Sequence, residues 1–563
     1  MDFQRVFIFM GLAVTGYFLI LSWQQDYGAQ VSQPLNQESV TVTESYEGAA
    51  SPQSIPTDAS LPDATSIPSV AVAEAPLRPS MTRNPIQVST DVFKVTIDPE
   101  GGDLISVALP RFPATLDRVD QPLRLVSDFN YYRLQSGLIG PDGIDRSNRR
   151  PFFTSPQMSY TQSGNEDLVV SLKWEEAEVR DLDITKQFRF KPGSYLVEVE
   201  YTITNRSPTP KTMAFFGQIK RDGEPPQDQD SNVMGLQPFI GGATRRVDER
   251  YHKLTLDDLE EAPYQYDFEG GYIAFLQHYF LTAWIPFSEQ KVRYFGKPVN
   301  GVNEPSVFAL GYTAAPVTIQ PGESTLLGGQ LYIGPKDQVT LAGIADGLDL
   351  TVDYGFLWFI AQPLFSALTI IFDWVGNWGL AIILLTVLVK ALLYPLSAAS
   401  FKSMAKMRKL QPEMIRLRDR YGDDRQKLGQ AMMDLYKKEG ANPLGGCLPI
   451  LLQMPVFLAL YWTLMESVEL RQAPFIAWIN DLSAMDPYFV LPILMGISMY
   501  LTQMMQPEPP DPVQAKVFKF MPIMFTFFFL WFPSGLVLYW LVNNILSVLQ
   551  QLYVTRQLEL GRD

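Results

Sequence analysis

A lysine inside a membrane-length apolar segment is the residue of this sequence best suited to chemistry. Lys390 lies in residues 378–397, WGLAIILLTVLVKALLYPLS, a segment long enough to cross roughly 30 Å of hydrocarbon. A charge at the centre of such a helix costs about 2.5 to 3.5 kcal/mol. An ammonium group held there can attract acidic groups, so Lys390 is a candidate for electrostatic work on a charged substrate.

Two interpretations of Lys390 are open at this point. Ser397 follows seven residues later, about 10 Å along a helix, so the lysine side chain could extend to the headgroups and have no further role. Thr386, however, lies one turn earlier on the same helix face. Two polar groups on one stripe favour a hydrated cavity or contact with another helix.

Length and composition indicate several domains, some of them in a membrane. The chain has 563 residues, 47% hydrophobic and 12% aromatic, too long for one domain and too apolar for a wholly soluble protein. Its single cysteine, Cys447, excludes an internal disulfide, and His252 and His278 match no zinc-protease motif. The sequence contains no GxxxxGK[ST] motif, which would have indicated nucleotide hydrolysis. The sequence predicts neither an enzyme nor a bound metal or cofactor.

The amino-terminal part is predicted to hold an anchor and a tether. An apolar run at 6–23 follows Arg5 and lacks a clear cleavage site, which favours an uncleaved signal anchor over 1–23. A cleaved signal peptide is the alternative. Residues 24–85 are rich in Ser, Thr, Pro and Gln and are expected to form a disordered linker outside the cytoplasm.

Residues 86–345 are predicted to form an all-β sandwich, because their apolar residues alternate and turn residues recur. Alternating runs flank a turn at 98–102 and another at Pro192-Gly193. No catalytic constellation is recognisable in this segment. Four aromatic residues are expected in its core or in cross-strand pairs: Phe188, Phe190, Tyr195 and Tyr201.

The segment 400–445 carries eleven Lys or Arg against six Asp or Glu, in a chain whose net charge is -15. The positive-inside rule assigns this segment to the cytoplasm, and its apolar residues predict a helical hairpin. The hairpin surface is either a docking surface for RNA or protein or a solvated face near anionic lipid. Its predicted docking residues are Lys402, Lys406, Arg408, Lys409, Arg416, Arg418 and Arg420.

The crossings between the sandwich and the hairpin must be odd in number if one lies outside and the other inside. The 378–397 segment is one crossing, so the apolar residues before it should not be another. Residues 346–376 are therefore predicted to contain an interfacial amphipathic helix.

Four further apolar segments complete a predicted core of five spans over 377–555: 447–466, 488–505, 519–532 and 534–553. With the anchor, the sequence predicts six spans, both termini in the cytoplasm, and a short tail at 556–563. Polar residues within these spans, including Gln453, Gln503 and Asn543, are candidates to line a groove with Thr386 and Lys390.

Three stretches resemble the YidC family of membrane protein insertases (YidC/Oxa/Alb): NPLGGCLPILLQMPVFLALYW at 442–462, SVELRQAPFIAWINDLSAMDPYFVLPILMG at 467–496 and FFFLWFPSGLVLYWLVNN at 527–544. The resemblance covers about 350–555. An anchor followed by a large outside β-domain resembles the Gram-negative form of the family. The resemblance therefore implies a multi-pass protein of the bacterial inner membrane with a periplasmic β-supersandwich.

The resemblance also implies a function. Family members hold one positive charge in a hydrophilic groove, open to cytoplasm and lipid, from which nascent membrane proteins are released sideways into the membrane. Lys390 occupies the position where arginine is usual, so the planar fork needed for bidentate carboxylate capture is absent here. Thr386, Met495 and Trp540 are implied substrate-contacting positions.

The implied partners are ribosomes or signal-recognition components at the hairpin, the Sec translocon with its accessory proteins, and membrane lipids, but not DNA. A transporter or ion channel is the alternative class, since intramembrane polar groups occur there too. A sugar-binding or sugar-processing outside domain is a third. Neither inverted repeats nor paired carboxylates support these two alternatives.

Overall fold

The computed structural model describes residues 84–146, 149–175, 181–226, 238–287, 290–299, 306–421, 424–439, 448–506 and 512–560. The predicted anchor at 1–23 lies outside the described residues, as does the predicted linker at 24–85 except for Asn84 and Pro85. The described chain consists of a strand-rich part, here called the β-domain, followed by a helical part.

Twenty strands occur in the described residues: β1 Ile86–Ser89, β2 Lys94–Asp98, β3 Asp103–Pro113, β4 Pro122–Val126, β5 Arg133–Ile139, β6 Phe153–Thr154, β7 Ser159–Thr161, β8 Leu168–Trp174, β9 Leu182–Phe190, β10 Leu196–Asn205, β11 Lys211–Asp222, β12 Gly241–Thr244, β13 His252–Leu254, β14 Tyr264–Glu269, β15 Ile273–Leu276, β16 Phe280–Pro286, β17 Lys291–Pro298, β18 Val307–Ala314, β19 Val317–Ile319 and β20 Ser324–Pro335. They form two sheets. The larger has the order β14-β17-β18-β11-β5-β3-β2-β1-β7, with β19 beside β11 and β4 beside β3. The smaller has the order β13-β12-β15-β16-β20-β10-β9-β8-β6.

Both predicted β-hairpins are present. β9 and β10 pair antiparallel across the Pro192-Gly193 turn, and β2 pairs antiparallel with β3. Gly101 and Gly102, between β2 and β3, have φ angles of 78° and 61°. That left-handed conformation carries no steric cost for glycine. The two turns thus fix the register that the alternating apolar pattern requires.

Side chains from both sheets form one large apolar core. Phe188, Phe190 and Tyr201 are buried in it, and the partly buried Tyr195 packs against it. The prediction that these aromatics are structural is confirmed. The β-domain ends in a short helix that closes one side of the smaller sheet, where Leu341 joins a second buried cluster.

Ten α-helices occur in the described residues: α1 Leu256–Glu261, α2 Gln338–Ile344, α3 Trp358–Val375, α4 Trp378–Leu392, α5 Tyr394–Tyr421, α6 Arg425–Glu439, α7 Leu448–Glu466, α8 Val490–Met504, α9 Pro512–Phe528 and α10 Ser534–Glu559. The first two belong to the β-domain. The other eight form the helical part.

The predicted span at 378–397 differs from the structure, where α4 ends at Leu392 and the chain turns by 68° into α5. Pro395 explains the break, because it has no N–H to donate to the carbonyl four residues earlier and is tolerated only in a first turn. Lys390 therefore lies in the last turn of α4 instead of well inside a longer helix.

Two other helix ends differ from the predicted boundaries. The helix that contains the predicted span at 519–532 begins earlier, at Pro512, because proline is tolerated in a first helical turn. At the other end, α10 continues to Glu559, beyond the predicted span at 534–553 and into the predicted tail. Residues 554–559 contain no Gly or Pro that would stop the helix.

By length and composition, the described residues contain two helices able to cross a bilayer, Gly355–Val375 and Ser534–Leu558. The bent pair α4 and α5 gives a third if it is counted as one span, and α8 is a shorter apolar helix. The first of these helices lies within 346–376, the segment predicted to contain an interfacial helix. Its length and composition also suit a crossing.

The basic hairpin consists of α5 and α6. Six of its seven predicted docking residues are exposed and Arg418 is partly buried. Between the two arms, the hydroxyl of Tyr436 donates to Sδ of the buried Met414 at 3.8 Å. Near its start, α5 packs Phe401 and Met404 against Val554 of α10. The basic side chains therefore lie on the outer surface of a packed hairpin.

Candidate functional site

Helix α4 has one buried and one exposed apolar face. Its exposed residues are Leu380, Leu384, Val387, Leu388, Ala391 and Leu392, and its buried residues are Trp378, Gly379, Ala381, Ile382, Leu385, Thr386 and Lys390. The exposed apolar stripe suits lipid. Lys390 therefore points to the interior of the helical part, on the face opposite to lipid.

The Lys390 side chain reaches two neighbouring helices. Its Nζ donates to Oγ of Ser547 on α10 at 2.8 Å and to Oε1 of Gln453 on α7 at 3.4 Å. Only 6% of the residue is exposed. Among the described residues, no carboxylate lies within ion-pair distance of this amine. The ammonium charge is thus met by neutral acceptors alone.

The polar contacts continue along α10. Nε2 of Gln453 donates to Oδ1 of Asn543 and, at 3.4 Å, to the hydroxyl of Tyr539. Tyr539, Asn543 and Ser547 follow one another at intervals of four residues, so they form one stripe on successive turns. The structure therefore joins the predicted residues Lys390, Gln453 and Asn543 into one network.

Sequence reasoning missed Ser547 and Tyr539. Their four-residue spacing from Asn543 was the signal that could have found them. A serine in an apolar helix usually bonds its own backbone, and Oγ of Ser547 does donate to the Asn543 carbonyl at 2.7 Å. The oxygen can accept from Lys390 at the same time.

Three other predicted groove residues make no hydrogen bond with Lys390 in the described structure. Thr386 is 1% exposed, and its hydroxyl donates to the Ile382 carbonyl at 2.6 Å. Met495 is fully buried in the apolar cluster that also contains Leu385 and Tyr539. Gln503, near the end of α8, is buried as well.

Trp540 lies beside this network on α10. Its ring centroid is 4.5 Å from that of Phe457 on α7, in a nearly perpendicular arrangement, and 5.6 Å from that of Phe529. Its Nε1 is buried and has no hydrogen-bond acceptor among the described residues. A buried donor without a partner costs about 1 to 3 kcal/mol, so this group would gain from an incoming acceptor.

The amino-terminal ends of α8 and α10 are tied together by the loop that follows α7. The backbone N–H of Gly535 donates to the Leu482 carbonyl at 2.9 Å, and that of Ser534 to the Ala484 carbonyl at 2.7 Å. The buried Asp486 accepts from Trp478 Nε1 at 2.9 Å and from the Leu491 N–H at 2.7 Å. The loop is therefore fixed across one end of the helical part.

Comparison with known proteins identifies the family. Residues 85–367 match the family model described as the YidC periplasmic domain, and residues 370–561 match the one described as the 60Kd inner membrane protein. The chain is also 46% identical over 570 residues to "Membrane protein insertase YidC" of Pseudomonas fluorescens, covering 99% of each chain. The chain belongs to the YidC family.

A second YidC insertase, from a Marinomonas species, is 47% identical over 567 residues, covering 99% of this chain and 100% of the relative. A solved structure described as an active YidC insertase with its first transmembrane domain resolved aligns with 83% of this chain and 92% of its own, at 19% identity and a TM-score of 0.38. The predicted YidC resemblance is confirmed. The protein is a membrane protein insertase of the inner membrane, and its β-domain is periplasmic.

Proposed function

We propose that this YidC protein receives acidic parts of nascent membrane proteins at Lys390, in a polar site between α4, α7 and α10. The main support for this proposal is that the buried ammonium group of Lys390 has only neutral hydrogen-bond acceptors, Ser547 and Gln453, among the described residues. A carboxylate accepts a stronger, charge-assisted hydrogen bond than a hydroxyl or an amide. An acidic client side chain can therefore displace these acceptors, and the client is then released sideways into lipid.

The energy for insertion comes from the client. Each Leu, Ile or Phe of its span gains a few tenths of a kcal/mol on entering the membrane, about 0.3 to 0.6 on insertion scales. The barrier is the polar flank that must cross. The membrane potential contributes about 2.3 kcal/mol per charge per 100 mV and draws negative groups outward. A positive charge partway across the membrane lowers the barrier for the same groups.

Other residues of the site have supporting roles in this proposal. Asn543 and Gln453 bond to each other through their side-chain amides. The backbone groups of an extended client can form hydrogen bonds with these amides in place of that bond. Nε1 of Trp540 offers an unused donor beside them. Thr386, Met495 and Gln503 complete the walls, and would reach the client if the helices separate.

We propose the remaining arrangement from the sequence, supported by the surface charges. Six spans, five of them in the core, leave both termini in the cytoplasm, and α3 lies in the interface. The exposed basic residues of α5 and α6 suit a docking surface for ribosomes or signal-recognition components. The Sec translocon with its accessory proteins is the proposed partner within the membrane.

The test uses full-length protein in vesicles without ATP, and two clients that differ only in acidic or neutral residues of the translocated tail. Lys390→Ala and Lys390→Glu should slow the acidic client about tenfold, the effect of roughly one lost charge-assisted hydrogen bond, and leave the neutral client near its normal rate. Lys390→Arg should insert both. Leu388→Ala, on the exposed face of α4, is the matched control. Equal losses for the two clients at normal protein levels would refute the electrostatic role.

A further inference from the structure

We infer that the β-domain holds α7 in position through a joint made of His278, Lys336 and Arg471. His278 and Lys336 of the β-domain lie at the end of α7, and Arg471 belongs to the chain that follows this helix. The inference rests on the proposed function in one respect, because α7 is the helix that carries Gln453 to Lys390. The three residues do not contact the client, so they are positioning residues.

His278 caps the end of α7. It lies in the turn between β15 and β16, and its Nε2 is 2.7 Å from the Met465 carbonyl oxygen. That carbonyl is one of the last four of α7, which have no partner within the helix. Burial, together with the positive charge of Lys336, lowers the pKa of His278 to about 3, so the ring is neutral. Because a carbonyl only accepts, Nε2 carries the ring proton.

Lys336 supplies a positive charge at the same helix end. It directly follows β20, only 4% of it is exposed, and its Nζ lies 3.8 Å from Oε2 of Glu466, the last residue of α7. The carboxyl end of a helix is the negative end of its dipole, and Glu466 adds a negative charge there. Lys336 of the β-domain therefore offsets the repulsion between the Glu466 carboxylate and the negative end of the α7 dipole.

The chain after α7 is built into the β-domain. Arg471 donates through one guanidinium nitrogen to the carbonyl oxygens of Pro113 and Ala114 at 2.9 and 3.1 Å, and its guanidinium lies 5.8 Å from the ring centroid of Phe280. Val468 belongs to the buried apolar core of the β-domain. Polar and apolar contacts thus fasten this segment to both sheets, at the end of β3 and at the start of β16.

The joint and the polar site lie at two points of one helix. Gln453 precedes Glu466 by thirteen residues, which corresponds to about 20 Å along α7. Pro455 removes one backbone hydrogen bond of α7, but the helix runs unbroken from Leu448 to Glu466. A shift at its end therefore moves Gln453 and Phe457 relative to α10. The periplasmic β-domain therefore sets the position of one wall of the client site.

The test compares Lys336→Met with the double variant Lys336→Met/Glu466→Gln in the same vesicles and with the same two clients. The single variant leaves Glu466 buried without its partner, so we expect both clients to insert about tenfold more slowly. The double variant removes the unpaired charge and should recover to within about twofold of wild type. Arg293→Ala is the matched control, because it breaks an ion pair with Asp267 inside the β-domain, away from α7.

Thermal unfolding of each variant separates loss of the joint from loss of the fold. If Lys336→Met does not accumulate, Arg471→Ala against Arg471→Lys provides the same comparison. The proposed joint would be refuted if Lys336→Met inserted clients as fast as Arg293→Ala. It would also be refuted if the double variant inserted them no faster than Lys336→Met. Slowing of the acidic client alone would also overturn it, because that pattern belongs to Lys390. If the Lys390 test fails, the test of the joint can still be interpreted, because the joint is expected to affect insertion of both clients equally.

Discussion

Lys390 Nζ lies 2.8 Å from Ser547 Oγ, and the same oxygen donates its proton to the Asn543 carbonyl at 2.7 Å. The serine hydroxyl is therefore oriented by its own helix, with a lone pair facing the amine. This hydrogen bond holds the ammonium group in place without neutralising its charge. A neutral acceptor leaves the positive charge available for a client, whereas a carboxylate acceptor would neutralise it.

Replacement of Ser547 by aspartate should block acidic clients. The carboxylate introduced by Ser547→Asp would form a buried ion pair with the amine, so insertion of the acidic client should fall about tenfold while the neutral client is unaffected. Ser547→Ala is the control and should change the rate by less than about threefold, because the client carboxylate displaces this neutral acceptor from the amine in any case. Insertion rates of the two clients in vesicles measure this. Normal insertion of the acidic client by Ser547→Asp would contradict the proposed role of the free charge.

Part of this site was predictable because it depends on local patterns. A lysine in an apolar segment and an asparagine in another are visible in the sequence, and Lys390, Gln453 and Asn543 do meet. The bend after Leu392 was not predicted, because Pro395 lies within one continuous apolar run. Ser547 was overlooked because a single hydroxyl in a helix normally satisfies itself.

The β-domain shows the same division. Its hairpins follow from alternation and turn residues, so the pairing of β9 with β10 was predictable. The contact of His278 with Met465 joins residues 187 positions apart. The periodic spacing of apolar residues cannot predict a contact between residues so far apart. In the sequence, His278 is a histidine that belongs to no recognisable motif. The joint could be found only from the folded chain.

The buried charges of the β-domain give a prediction for its stability. Arg150 forms ion pairs with Asp103 and Asp145, and all three side chains are largely buried. Arg150→Met leaves two buried carboxylates without their cation, so the free energy of unfolding should fall by about 3 to 5 kcal/mol. Arg206→Met is the matched control. Its ion pair with Asp183 is exposed, so it should change stability by less than about 1 kcal/mol.

Denaturant unfolding followed by tryptophan fluorescence measures both variants. A loss for Arg150→Met no larger than that of the Arg206→Met control would show that the buried cluster is not what holds this part of the sandwich. A large loss for Arg150→Met alone supports the cluster as the charged link between β3 and the turn after β5.

Glu469, in the turn that follows α7, should make stability depend on pH. Burial raises the pKa of its carboxyl from 4.5 to about 7, and the negative charge of Asp337 acts in the same direction. The folded protein therefore binds more protons than the unfolded chain between these two values. The free energy of unfolding should fall as pH rises from about 4.5 to about 7, by at most about 3 kcal/mol, and this contribution should be flat at higher pH.

Melting temperatures of the detergent-solubilised protein between about pH 5 and pH 8 test this, with Glu469→Gln as the comparison. The amide cannot titrate, so the difference between the two melting curves isolates Glu469 from all other groups. Wild type should lose stability relative to Glu469→Gln as pH rises to about 7. His278 stays neutral in the folded protein because burial lowers its pKa from 6.5 to about 3. The unfolded chain gains this proton below about pH 6.5, so His278 adds a slope of opposite sign to both curves, and the comparison with Glu469→Gln cancels it. Parallel curves would show that the Glu469 carboxyl is solvated in the folded protein and that the turn is not packed against Asp337.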